Sequence, residues 1–448
     1  MGKYFGTDGI RGVAGRALDA ELAFKTGRAA ATVLNELGDK RPLIMIVRDT
    51  RISCDMLESA LSAGLCSAGA DVSLLGVLPT PAAAYLTLKY GANMGIVISA
   101  SHNPFDNNGI KIFGMNGFKL SDSLEARIEQ LIDDDSSVCR MTGGDLGRIS
   151  GDHRYWENEY VKFLVAAALK QYSGRIAIDC ANGAASETAR KLFRQLGSEF
   201  EIFFDEPNGV NINVDCGSTH IGSLKNIMKT GRFGVGFAFD GDADRCLVVD
   251  ELGEVIDGDM MLGVFARDMA VTGKLTGDGM VGTVVSNSGM DVFARNNGMK
   301  FHRAAVGDRN VLEMMFQTGC NIGGESSGHL IFSDDAMTGD GQLTAIKFLN
   351  VLCASGRPAS ELVRDIPRYP QVMPSYRLTG GAEQRDAIMN HPRLREEVDK
   401  HQEMLAGEGR VLVRPSGTEP IIRVLVEART EALAAETAGY LIDVIRSL

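Results

Sequence analysis

Apolar runs alternate with amphipathic helical patterns from residue 42 onward, and the alternation stops and restarts twice. The first series reads "PLIMIV", a helix near 53–69, "DVSLLG", a helix near 81–89 and "GIVIS". That βαβαβ order predicts a helix-covered sheet in an α/β domain. The second series runs through "RIAID", "SETARKLFRQLG", "FEIFF", a helix after Thr219 and "FGVGFAFD". The third comprises "VGTVVS", "SGMDVFARNNG", "KFHRAAV" and "NVLEMMFQTG". After "RDIPRYPQV" strict alternation ends, and the tail through "RVLVRPSGTEPIIRVLVEA" reads as a smaller α+β unit. The expected fold class is therefore α/β, with three similar mixed α/β domains and a C-terminal α+β domain. The polar stretch "DDDSSVCRMTGGDLG" and the turn-rich "DELGEVIDGD" place the domains at 1–150, 151–254, 255–368 and 369–448.

A chain of 448 residues is too long for one core, which agrees with several domains. Its 46 basic and 58 acidic residues leave a charge of −12, so neither a nucleic-acid surface nor an anionic membrane surface is expected. Any anionic ligand has to be gripped locally. Cys54, Cys66, Cys139, Cys180, Cys216, Cys246, Cys320 and Cys353 occur singly, without a C-x-x-C pair. They read as reduced core thiols of a cytoplasmic protein. No stretch approaches the ~18 apolar residues of a spanning helix.

Four loops carry chemistry. In "SASHNPFDNNGIK" a buried-looking strand ends on Ser101 beside His102; Asn107, Asn108 and Gly109 are expected to offer turn N–H groups, and Lys111 a cation. Such a loop suits a phosphoryl group carried on a hydroxyl, with a strand-to-helix cap as the alternative. In "DGDADR" the carboxylates Asp240, Asp242 and Asp244 alternate, so they can converge on a hard cation, Mg²⁺ ahead of Ca²⁺, with a bare acidic turn as the alternative. An EF-hand would put Glu251 at its twelfth position, but Arg245 stands at the sixth, where the sharp turn requires glycine. Arg245 would instead lie beside a transferred group. "GGESSGH" offers Glu325, Ser327 and His329 to vicinal sugar hydroxyls, or is a capped turn. "RPSGTEP" sets Ser416, Gly417 and Thr418 between Arg414 and Arg423, which suits a phosphate, or simply joins two strands. "GDGMVG" precedes a strand instead of following one, and G-x-x-x-x-G-K-[ST] is absent, so no nucleotide site is expected.

With "FGTDGIRG", "DCANGAA", "NINVDCGSTH" and "VGDR" added in order, the chain resembles the α-D-phosphohexomutase superfamily, in its glucosamine branch. The resemblance implies four domains around a central cleft and a phosphoserine at Ser101. It implies one Mg²⁺ per chain, held by Asp240, Asp242, Asp244 and the phosphorylated Ser101. Proton handling falls to His102, Lys111 and Arg245. Arg11, Asp308, Arg309, Glu325, Ser327 and His329 meet the sugar phosphate, and Arg414, Ser416, Gly417, Thr418 and Arg423 hold the phosphate that is not reacting. The implied reaction interconverts glucosamine 6-phosphate and glucosamine 1-phosphate through a 1,6-bisphosphate of glucosamine or glucose, which also primes the serine. The intermediate has to turn over without escaping, which a fourth domain hinged near 365–372 would permit. The expected partner is a small phosphosugar, with a second copy of the chain and a priming kinase as candidates. Ser326 departs from the glutamine usual in close members, which bears on the amino-sugar preference. A glucose- or mannose-directed relative, a Mg²⁺-dependent sugar phosphatase and a non-catalytic binder are the alternatives.

Overall fold

The computed structural model describes residues 2–6, 8–405, 407–416 and 420–448. Four sheets follow one another along the chain. The first orders the strands Phe5–Gly6, Gly9–Val13, Asn107–Gly114, Met94–Ile98, Leu43–Arg48, Asp71–Val77 and Ile149–Ser150. Its centre is parallel, and Met94–Ile98 is buried along its whole length because helices cover both faces. The second orders Val255–Ile256, Cys246–Val249, Val235–Phe239, Ile176–Asp179 and Phe200–Phe203. Val255–Ile256 completes that sheet, so it runs two residues beyond the expected boundary at 254. The third orders Lys300–Ala304, Gly279–Thr283, Ile322–Gly324 and Leu330–Phe332. In the fourth, Ile421–Glu427 pairs antiparallel with Arg410–Pro415 and with the short strands Gln371–Val372 and Ser375–Arg377.

The first three sheets repeat one device: a parallel core ends in an antiparallel hairpin. These hairpins are Met94–Ile98 with Asn107–Gly114, Val235–Phe239 with Cys246–Val249, and Ile322–Gly324 with Leu330–Phe332. The three connecting turns contain Ser101, the aspartate triplet and Glu325. The fourth candidate loop likewise joins two antiparallel strands.

One buried apolar cluster runs from Met45 to Ile366, through all three α/β units. The fourth unit has its own core, from Leu378 to Ile445. All eight cysteines are free; Cys66, Cys139 and Cys353 are only half-buried, so five of the eight fit the expected core thiols. Among the described residues no helix is long and apolar enough to cross a membrane.

Candidate active site

Ser101 is 1% exposed and has φ 51°, a left-handed backbone that few non-glycine residues adopt. Its neighbours impose that conformation. The Ser101 N–H donates to Ser99 Oγ at 2.9 Å, and the Ser99 hydroxyl donates to Asp49 Oδ2 at 2.6 Å. The Ser101 carbonyl accepts from Arg51 at 3.0 Å and from Asn213 Nδ2 at 2.9 Å. Arg51, with its side chain wholly buried, is ion-paired with Asp49. Asn107, Asn108 and Gly109 correct the expectation of a turn, since they begin the strand Asn107–Gly114. There Asn108 is buried and donates to Ser53 Oγ at 2.8 Å, while Gly109 lies opposite Arg11. The Ser101 loop thus joins two strands and caps no helix.

The Ser101 hydroxyl donates to Asp240 Oδ2 at 2.6 Å, across the boundary between the first two domains. A Cβ on Gly241 would stand 2.6 Å from the Ser101 carbonyl, so only glycine lets the two loops approach this closely. Asp240, Asp242 and Asp244 are buried, and each places an oxygen within 4.8 Å of the others. Asp242 Oδ2 accepts from the Thr80 hydroxyl at 2.6 Å and from Lys111 Nζ at 2.8 Å. The other oxygens, Asp242 Oδ1 and Asp244 Oδ1, are buried without a hydrogen-bond partner. Orphaned carboxylate oxygens on a triplet whose carboxylates approach within 4.8 Å fit a hard cation. The EF-hand alternative falls, because strands flank the loop and Glu251 is turned away to the Ser360 hydroxyl.

Burial, with Asp244 and Asp242 alongside, pushes the Asp240 carboxyl well above the ordinary range. Burial acts the same way on Asp244, but Lys111, His329 and Arg245 overcome it and hold that carboxyl well below the range. Lys111, 2% exposed, is held charged against burial by Asp242, Asp8 and Asp244. Burial, Arg245 and Arg11 lower His102 to about 4, so it is neutral, with Nδ1 3.3 Å from Ser101 Oγ. Arg245 donates its backbone N–H to Asp240 Oδ1 at 3.2 Å and brings Nε 3.8 Å from Asp244.

The third domain meets this centre through its hairpin turn. Cys246 N–H donates to the Gly328 carbonyl at 3.0 Å, so the "GESSGH" turn rests on the strand that leaves the aspartate triplet. Glu325 accepts the Gly307 N–H at 2.9 Å, which ties that turn to "VGDR", and Ser327 Oγ is buried without a partner. His329 Nδ1 lies 3.7 Å from Asp244, and its Nε2 accepts the Gly339 N–H at 3.0 Å. Although burial opposes it, the acidic surroundings raise His329 to about 9. The Gly339 amide nevertheless requires an unprotonated Nε2, which leaves the ring proton on Nδ1, toward Asp244. Asp308 pairs with Lys119 at 2.8 Å, and Arg11 pairs with Asp8. Arg309 turns away from the triplet to Asp122, at 2.6 Å.

The expected phosphate loop stands on the fourth sheet. Arg414 and Arg423 are directly opposed across the strand pair, and Arg414 Nε is buried without a hydrogen-bond partner. Burial and then Arg423 lower the Arg414 guanidinium from its ordinary value. The Ser416 N–H donates to the Ile421 carbonyl at 2.9 Å; Gly417 and Thr418 lie outside the described residues.

The structure therefore gathers Ser101, His102, Lys111, Arg245, the aspartate triplet, Arg11, Asp308, Glu325 and His329, with Arg309 at the edge and Arg414, Ser416 and Arg423 on a separate sheet. Sequence reading missed Asp8, Thr80, Lys119, Arg51 and Asn213. Asp8 and Asn213 lie within motifs already noted, "FGTDGIRG" and "NINVDCGSTH", whereas Lys119 carries no local signal.

The chain matches a known class of protein. Four family models match in order: phosphoglucomutase/phosphomannomutase α/β/α domain I at residues 2–138, domain II at 158–253, domain III at 257–369 and the C-terminal domain at 377–444. The chain belongs to the phosphoglucomutase/phosphomannomutase family. It is 46% identical over 447 residues to the phosphoglucosamine mutase of Shouchella clausii, covering 100% of this chain and 99% of that one. It is 45% identical over 449 residues to the phosphoglucosamine mutase of Bacillus subtilis, with coverage of 100% and 99%. The crystal structure of a family protein from Burkholderia thailandensis superposes with a TM-score of 0.83 at 26% identity, covering 99% of this chain and 97% of that one.

Proposed function

We propose that the chain interconverts glucosamine 6-phosphate and glucosamine 1-phosphate through a phosphoserine at Ser101 and a 1,6-bisphosphate. The observation that carries this reading is the strained, clamped Ser101 hydroxyl at 2.6 Å from Asp240, beside two orphaned aspartate oxygens. A phosphoserine there gives its phosphoryl group to the sugar O1: the Oγ–P bond breaks and the P–O1 bond forms. After the bisphosphate turns over, the serine takes the O6 phosphoryl group, so no phosphate is lost. When Ser101 takes up a phosphoryl group, its proton has an acceptor in reach in neutral His102, whose Nδ1 lies 3.3 Å from Oγ, while Asp240 is committed to the cation. Lys111, pinned as a cation by its carboxylates, serves electrostatics better than proton transfer. Arg245 supplies a second fixed positive charge.

Asp240, Asp242 and Asp244 would hold Mg²⁺, which when bound neutralises charge on the transferring group. Glu325 and Ser327, with Arg11, Asp308 and Arg309, read the sugar phosphate, while His329, its Nε2 taken by the Gly339 N–H and its Nδ1 turned to Asp244, orders the triplet behind them. Arg414, Ser416, Gly417, Thr418 and Arg423 hold the distal phosphate. We place the protein in the cytoplasm, which suits its free thiols. Glucose or glucosamine 1,6-bisphosphate, or a kinase, primes the serine.

The test incubates the protein with glucosamine 6-phosphate, Mg²⁺ and a trace of glucose 1,6-bisphosphate, following products by phosphorus NMR and Ser101 by peptide mapping. Glucosamine 1-phosphate and a phosphorylated Ser101 peptide are expected. Inorganic phosphate without isomer would establish the phosphatase alternative. Ser326 favours one comparison, kcat/KM on glucose and mannose 6-phosphates; higher values there than on glucosamine 6-phosphate would reassign the substrate.

A further inference from the structure

Ionisable side chains from three domains close into one ring. Asp308 Oδ2 meets Lys119 Nζ at 2.8 Å, and Lys119 meets Asp8 Oδ1 at 2.6 Å. Asp8 Oδ2 lies 3.2 Å from Lys111 Nζ, which reaches Asp242 at 2.8 Å and Asp244 at 3.8 Å. His329 closes the circuit, 3.7 Å from Asp244 and 4.0 Å from Asp308. Asp8, Lys111 and Lys119 come from the first domain, the triplet from the second, and Asp308 and His329 from the third.

Lys119 stands apart within this ring. It pairs with two carboxylates, Asp8 and Asp308, neither of which belongs to the triplet. We propose that Lys119 is a positioning residue for phosphoryl transfer: by neutralising Asp8 and Asp308 it fixes the Lys111 ammonium against Asp242 and holds the third domain in register with the triplet.

Asp8 has three cationic claimants, Lys119, Lys111 and Arg11. Without Lys119 its charge falls on the other two, and Lys111 is drawn from Asp242 toward Asp8. Asp308 keeps a half-buried carboxylate with no cation of comparable proximity, an unfavourable arrangement. The whole cluster becomes one unit more negative. Two consequences follow with opposite signs. A dianionic phosphoryl group meets more repulsion, so turnover falls, while a divalent cation meets a more negative, less obstructed triplet and binds more tightly. Simple loosening of the fold would weaken both.

This inference rests on the triplet as the cation site, so its test includes a measurement that needs no turnover. The full-length protein and three variants, Lys119→Met, Lys119→Arg and Asp8→Asn/Lys119→Met, are titrated with Mn²⁺ and assayed for hexose phosphate isomerisation. In Lys119→Met, Mn²⁺ affinity rises at least about threefold while kcat falls at least about tenfold with little change in KM, magnitudes typical of one displaced partly buried charge. Lys119→Arg keeps both near the parent, and removing the Asp8 charge in the double variant moves both back toward it. Unchanged or weaker Mn²⁺ binding in folded Lys119→Met overturns the proposal, as does a double variant no closer to the parent than the single one. Should Lys119→Met not fold, a folded Asp8→Asn/Lys119→Met with parent-like Mn²⁺ affinity supports the charge balance, and one that binds Mn²⁺ more weakly overturns it. If no hexose phosphate is isomerised but Mn²⁺ binding shifts as stated, the mutase reading fails and the role of Lys119 stands.

Discussion

A serine at φ 51° costs roughly 1–2 kcal/mol relative to glycine, and the clamp from Ser99, Arg51 and Asn213 is what maintains it. The conformation aims Oγ at Asp240 instead of into its own strand. Ser101→Gly separates backbone from chemistry. It relieves the left-handed strain but removes a hydrogen bond to a buried carboxylate worth roughly 1.5–3 kcal/mol, so the two effects nearly offset. The expected outcome is an apparent Tm within about 3 °C of the parent. Turnover falls by more than about a thousandfold, because the group that accepts phosphate is gone. A large destabilisation would show that the hydroxyl serves the fold before the reaction. At the same scale, Lys111 and His102 divide the work by environment: carboxylates keep the lysine charged, and burial with two arginines keeps the histidine neutral.

Among the elements, the helix Gly341–Ser355 shows how the domains are sewn together. Its N-cap, Asp340, accepts the Leu343 N–H at 2.9 Å through Oδ1 and the Tyr160 hydroxyl at 2.9 Å through Oδ2. Tyr160 lies on the helix His153–Ala166, so one carboxyl starts a helix and ties it to another. Burial raises Asp340 from 3.8 to about 6, despite these hydrogen bonds. The folded state therefore binds its proton more tightly than the unfolded chain. Its contribution is fully present below about pH 4 and is lost as pH rises through about 6, worth up to about 3 kcal/mol. Asp340→Asn, which does not titrate, should be least favourable relative to the parent at pH 4 and should gain on it by pH 7.5. Urea unfolding at the two pH values checks this; a constant difference would place Asp340 ionised throughout.

The elements themselves were legible because most apolar runs are covered strands and the helical patterns their covering layers, although Phe200–Phe203 and Lys300–Ala304 are half-buried edge strands. Asn107–Gly109 misled, because Asn-Asn-Gly is turn chemistry and only the pairing with Gly9–Val13 makes it a strand. That same non-local pairing sets Asp8, at the foot of its strand, beside Lys111. Lys119 reaches Asp308 over 189 positions, a separation that no local spacing rule spans.

For the whole molecule, the continuous core from Met45 to Ile366 makes one body of the first three domains, while the fourth closes on its own core. What joins them is polar and small. Glu427, fully buried, accepts the Ser288 N–H at 2.8 Å and Arg410 Nε at 3.0 Å, and Arg410 also donates to the Ser286 carbonyl. Between them Asn287 clasps Tyr369, taking its N–H at 3.1 Å and donating to its carbonyl at 2.9 Å. A domain with a separate core and a narrow polar dock can swing without disturbing its neighbours. Glu427→Ala strips the dock of its carboxylate, leaves the Ser288 N–H unpaired and leaves Arg410 with only the Ser286 carbonyl, at a cost of roughly 2–4 kcal/mol. Because the cores are separate, that cost should appear as early melting of the fourth domain alone, a second calorimetric transition below the main one. If this domain retains the bisphosphate while it reorients, the variant should release severalfold more bisphosphate per turnover, measured by its activation of a second, phosphate-free preparation of the enzyme. One transition shifted as a unit would instead make the dock part of a single cooperative body, and retention would have to come from the three-domain cleft itself.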